Sequence, residues 1–185
     1  MTGRGRGLLP PGLDLLRRSG ELGRAGPRPC RRPAPLGLGA RLSPMLFFYG
    51  TLRHPGLLAT VIGRDPGPLT PARLPGHQVH WVAGQMVPMI RATGAGEGPD
   101  AGPDSRAGAE GILFDPRPED RPRLDAYESG FAFATRTVTV QTARGPVEAE
   151  LYDPDDGLEP GAPFDLADWT ERWADVALPA AAEFI

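Results

Sequence analysis

Glu128 directly follows Tyr127 and stands four residues after Leu124, in the run Leu124-Asp125-Ala126-Tyr127-Glu128-Ser129-Gly130. In a helix, Leu124 and Tyr127 share the core-facing side, and Glu128 lies on that side with them. A carboxylate in a last helical turn meets the negative end of the helix dipole. Burial beside Tyr127 and Phe131 also disfavours its charge, and both effects raise its pKa towards that of a useful general base. The same spacing fits a solvated residue at a helix end closed by Gly130, which is the plainer reading of the residues alone. The second candidate is the junction Phe47-Phe48-Tyr49-Gly50-Thr51-Leu52-Arg53. A glycine directly after a buried strand permits a sharp turn and close approach of a ligand. The amides of Gly50, Thr51 and Leu52 would then point at a carboxylate or a developing oxyanion. An ordinary turn ending a strand is again the plainer reading.

Other chemistries find no support. The chain has no lysine and no asparagine, so no glycine-rich phosphate loop can be completed by a lysine. His54, His77 and His80 are not joined by cysteines, and His77 and His80, three apart in an expected strand, point to opposite faces. Ser43, Ser105 and Ser129 lack a Gly-x-Ser-x-Gly elbow. The single cysteine, Cys30, forms no intrachain disulfide and lies outside the part of the chain expected to fold. What remains is acid–base catalysis by a carboxylate, without a metal or organic cofactor, in a reducing cytoplasmic setting.

The elements that must position these residues begin at Met45. Residues 1–44 carry nine Arg against Asp14 and Glu21, are dense in Gly and Pro, and hold no aromatic residue. Such a segment cannot bury enough apolar surface to offset its ordering entropy, and reads as a disordered arm upstream of a natural start at Met45. The remaining residues carry eleven Arg against twenty-one acids. That acidic body repels nucleic acid and anionic membranes, and no run of about twenty apolar residues suggests a membrane-spanning helix.

The body, 45–178 with a tail at 179–185, alternates short strands and helices. Strands are expected at Leu46–Tyr49, 73–82, Met86–Ile90, Ala109–Phe114, Thr135–Gln141 and Val147–Tyr152, the last two forming a hairpin around Ala143-Arg144-Gly145. Pro88 demotes its strand to an edge or a bend. Short helices are expected at Leu57–Ile62 and Pro118–Tyr127, and a final one from about Asp165 past Trp173. Residues 93–107 and 153–163 read as loops. About six short strands with flanking short helices make one α+β unit, with a curled or barrel-like sheet.

Several of these segments together carry a resemblance. Tyr49-Gly50-Thr51-Leu52-Arg53 resembles the opening of the γ-glutamylcyclotransferase-like (AIG2-like) family. Val87-Pro88-Met89-Ile90, Ala109-Glu110-Gly111-Ile112-Leu113-Phe114 and Leu124-Asp125-Ala126-Tyr127-Glu128-Ser129-Gly130 are similar to later family segments, in the same order. Phe133 and Arg136 fall near the family's Tyr-x-Arg. The resemblance implies a small mixed β-barrel with flanking short helices, acting on a small-molecule γ-glutamyl substrate. It implies cyclisation of the γ-glutamyl group to 5-oxoproline with release of an amine, Glu128 acting as base. Tyr49, Gly50, Thr51 and Leu52 would bind the substrate, and no cofactor would be required. Two positions depart from the pattern: Ser129 replaces a glycine after the acid, and Phe133 lacks a hydroxyl. The tail from Ala167 to Trp173 resembles that of bacterial members fused to a NUDIX hydrolase domain. A catalytically silent binding or regulatory module, truncated from such a fusion, is therefore the alternative.

Overall fold

The computed structural model describes residues 43–93, 108–129, 134–153 and 157–184. The arm 1–42, Gly130, Phe131 and Phe133, and nearly all of the expected loop 93–107 lie outside the described residues. The first described element is strand β1, Leu46–Phe48, every residue of which is buried. Its side chains alternate between two cores. Phe47 joins a cluster drawn mostly from the barrel strands, with Ala72, Leu74, Leu113, Val140 and Leu151, which fills the barrel interior. Leu46 and Phe48 join a second cluster with Leu57, Leu58, Leu124, Tyr127 and Trp169, between the barrel wall and the helices.

The barrel is closed by five strands in the order β1, β5 (Gly108–Phe114), β2 (Thr70–Pro75), β6 (Ala134–Thr142) and β7 (Gly145–Asp153). All neighbours are antiparallel except β1 and β7, which meet in parallel at Leu46 and Glu150. The Glu150 amide donates to the Met45 carbonyl at 2.8 Å and completes the ring. Close packing inside demands glycine at 111, because a Cβ there would stand 2.4 Å from the Phe47 ring and 2.5 Å from the Phe48 carbonyl oxygen. A separate sheet in the order β4 (Pro88–Ala92), β3 (His77–Val82) and β8 (Pro160–Pro163) stands beside the barrel.

Helix α1 (Pro55–Ile62) follows the Tyr49–Arg53 junction at once. Pro55 opens it, the His54 Nδ1 accepts from the Leu57 amide at 3.2 Å, and Gly63 closes it in the left-handed region. It packs against both α2 (Asp120–Ser129) and α3 (Leu166–Phe184). The start of α2 is pinned by Asp120, which is fully buried. Its carboxylate accepts from the Arg117 amide at 2.8 Å and from Arg64 Nε at 3.0 Å, with a second guanidinium bond from Arg64.

The α+β barrel agrees with the sequence reading, with eight strands among the described residues in place of about six. The single strand expected over 73–82 is two, because Gly76 turns the chain at φ 67° between β2 and β3. The expected loop 153–163 contributes β8, which pairs with β3 at His80–Pro163 and Val82–Pro160. Pro88 does begin an edge strand, and the hairpin turns through Ala143-Arg144 between Thr142 and Gly145. Helix α3 continues through Pro179 to Phe184, past the residue where the sequence placed the end of the body. Among the described residues no helix is long and apolar enough to cross a membrane.

Candidate active site

Helix α2 carries Glu128 in its last turn, on the same side as the buried Leu124 and Tyr127, and the Glu128 side chain is only 8% exposed. The helix-end reading as a solvated residue is therefore set aside. Burial pushes its carboxyl up from 4.5 to about 8. Three phenols share its surroundings. Burial raises the pKa of Tyr127, and the Glu128 charge adds to the effect. Burial, then the Asp125 carboxylate, raises that of Tyr152, with Glu128 a smaller contributor. Burial also raises Tyr49 well above its ordinary value, and the Glu128 charge is the next cause. All three hydroxyls are thus protonated donors around one protonatable carboxyl.

Tyr49 brings the strand-end junction to this carboxyl. It is buried at the end of β1, and its hydroxyl donates to the Tyr152 carbonyl at 2.9 Å. The next residue has to be glycine, since a Cβ at Gly50 would stand 2.5 Å from the Pro88 Cγ. Thr51–Arg53 then make one 3-10 turn, in which the Arg53 amide donates to the Gly50 carbonyl at 3.1 Å and the His54 amide to Thr51 at 2.9 Å. Among the described residues none accepts from the amides of Gly50, Thr51 or Leu52. Leu52 places its side chain in the core between barrel and helices, so what it can offer a ligand is its backbone. The arrangement thus combines free amides, protonated phenols and a carboxyl poised near neutrality, a set suited to moving a proton while holding an anionic group.

The family profile described as gamma-glutamyl cyclotransferase, AIG2-like, matches residues 46–171, more than half of the chain. The chain belongs to this family. Two solution structures from Arabidopsis thaliana share the fold. One is 18% identical with a TM-score of 0.51, the similarity covering 71% of this chain and 83% of that one. The other is 21% identical with a TM-score of 0.50, covering 71% and 74%. A structure named gamma-glutamyl cyclotransferase is 15% identical with a TM-score of 0.48, covering 76% and 85%. No curated protein matches the sequence significantly.

Within the gamma-glutamyl cyclotransferase frame, the structure adds Arg91 and Tyr152, for which the sequence carried no sign, beside Arg136, which the family resemblance had marked. The Arg91 and Arg136 guanidiniums both act on the Tyr49 phenol, against the larger effects that raise it. Arg136 Nε pairs with Asp153 at 2.7 Å, and Arg91 donates to the Leu158 carbonyl at 3.0 Å. Tyr152 is one more aromatic residue in an alternating strand, and nothing local marks it off from a core residue. Ser129, where the family pattern has glycine, is exposed and donates its hydroxyl to the Ala126 carbonyl at 2.8 Å, turned away from the buried carboxyl. A cleft of about 570 Å³ lies elsewhere, between β3, β8 and α3, walled by Trp81, Met86 and Trp173. Neither Glu128 nor the Tyr49–Leu52 turn lines it.

Proposed function

We propose that the protein is a cytoplasmic, cofactor-independent γ-glutamyl cyclotransferase that converts a γ-glutamyl amine or peptide to 5-oxoproline and the free amine. The observation that carries this reading is the buried Glu128 carboxyl, held at about 8 beside the Tyr49 phenol. An ordinary α-amino group titrates at about 8, so proton exchange between the two is close to balanced. The Glu128 carboxylate takes a proton from the substrate's α-ammonium. The freed amine attacks the γ-carbonyl carbon, and a ring C–N bond forms. The oxyanion re-forms the carbonyl as the C–N bond to the leaving group breaks. The Glu128 carboxyl gives its proton to the departing nitrogen, then takes the second proton of the ring nitrogen to leave the neutral lactam and passes it to the released amine. The amides of Gly50, Thr51 and Leu52 hold the substrate's carboxylate or the developing oxyanion, with Tyr49 shaping the pocket.

The test is release of 5-oxoproline from γ-glutamyl amino acids, γ-glutamylamines and glutathione, comparing wild type with Glu128→Gln. Removal of the base is expected to cost on the order of 10²–10⁴-fold. Activity that survives the substitution would sink the mechanism. A folded wild type inactive on every donor would assign the protein to ligand binding without turnover.

A further inference from the structure

One residue of β7 holds both halves of the candidate site. The Tyr152 carbonyl accepts the Tyr49 hydroxyl at 2.9 Å, next to the Gly50–Leu52 turn. The Tyr152 hydroxyl donates to Asp125 Oδ1 at 2.7 Å, on the helix that carries Glu128. Asp125 stands three residues before Glu128, so the two are neighbours on the surface of α2. Arg121 braces the same contact. Its Nε reaches Asp125 Oδ1 at 2.9 Å, its second amino group pairs with Glu150 of β7 at 2.7 Å, and its guanidinium lies 5.8 Å from the centre of the Tyr152 ring. The last turns of α2 are thereby tied to the strand that also fixes Tyr49.

We infer that Tyr152 is a positioning residue, which sets the Glu128 carboxyl against the Tyr49–Leu52 turn by gripping α2 through Asp125. The inference rests on the role proposed for Glu128, but its structural content is separable from turnover. Holding a reacting group in place is worth large factors, and displacement of about 1 Å can cost about 10²-fold. Glu128 also keeps its raised titration through being dry, and a loosened helix end admits water to it. The ionisable groups around it are the Tyr49, Tyr127 and Tyr152 phenols. Asp125 and its partner Arg121 lie one turn earlier on α2.

Tyr152→Phe removes the hydroxyl and keeps both the ring and the carbonyl that holds Tyr49. The first measurement is a carbon-13 NMR titration of the Glu128 carboxyl, assigned by its loss in Glu128→Gln. In Tyr152→Phe its midpoint is expected to fall from wild type by about one pH unit towards the ordinary carboxylate range. Equal midpoints in the two proteins overturn the inference. Asp125→Ala, at a side chain 49% exposed, removes the same contact from the other end and must reproduce the shift. Asp125→Asn keeps an oxygen for the Tyr152 hydroxyl and must largely restore the midpoint. In the 5-oxoproline assay, Tyr152→Phe is expected to lower kcat about ten-fold with little change in KM. It should have no further effect in the Glu128→Gln background, and an undiminished effect there also overturns the inference. If wild type releases no 5-oxoproline, the proposed reaction fails while the carboxyl titration still decides the role of Tyr152.

Discussion

The Glu128 carboxyl, raised to about 8, releases its proton as the solution passes from neutral to mildly alkaline. For free enzyme and substrate, kcat/KM is expected to peak near pH 8: it rises as Glu128 ionises and falls as the substrate's α-ammonium is lost, and the rising limb should vanish in whatever activity Glu128→Gln retains. Stability moves the other way. Between the unfolded value of 4.5 and the folded value of about 8, the native protein binds a proton that the unfolded chain has lost. Stability is therefore full below about 4.5 and declines as pH rises through about 8, by an amount of the order of 4 kcal/mol. Urea denaturation of wild type and Glu128→Gln at several pH values checks this. Wild type should lose stability across that interval relative to the variant, and parallel curves would refute buried titration. The Leu124–Tyr127 spacing offered a core-side placement of Glu128, but the residues alone favoured a solvated helix end, and burial of the carboxyl depends on packing that spacing does not show. The roles of Arg91 and Tyr152 were not readable from sequence, since each depends on partners distant along the chain.

Helix α2 is held at its start by an ion pair rather than by apolar packing. Asp120 is fully buried, and Arg64 is its cationic partner. Arg64→Ala would leave a buried carboxylate without its counter-charge, and is expected to cost about 3 kcal/mol in denaturant unfolding. The loss should shrink in Arg64→Ala/Asp120→Asn. At the proposed substrate turn, Gly50→Ala must displace either the turn or Pro88, whose Cγ occupies the space of the new methyl group. Release of 5-oxoproline by that variant should fall by about 10²-fold in kcat/KM. Most elements announced themselves locally: the apolar run of β1, the proline opening α1, the hairpin of β6 and β7. Strand β8 did not, because Pro160-Gly161-Ala162-Pro163 has turn composition and is extended only by pairing with β3. The break at Gly76 was hidden in a pattern that alternated on both sides of it.

Among the described residues two cores meet through β1, Phe47 filling the barrel and Phe48 facing the helices. Loss of either side chain should weaken both. Phe47→Ala and Phe48→Ala are each expected to cost about 3–5 kcal/mol. Far-ultraviolet circular dichroism and tryptophan fluorescence should follow one shared unfolding transition, and separated transitions would show that the cores melt independently. The α+β class and a curled or barrel-like sheet could be read from the order of short elements, and the family resemblance sharpened this to a small mixed barrel. Its closing pair, Leu46 with Glu150, leaves no local trace in either strand. That seam governs how the protein is made. Tyr49 and its partner Tyr152 are separated by 103 positions, so ring closure must wait until β7 has emerged during synthesis. Joining such distant segments is entropically costly and slow. A nascent chain halted before β7 would leave β1 paired only to β5, with the other edge of an apolar strand open, a form exposed to aggregation and chaperone capture. The final hairpin therefore ends that vulnerable interval.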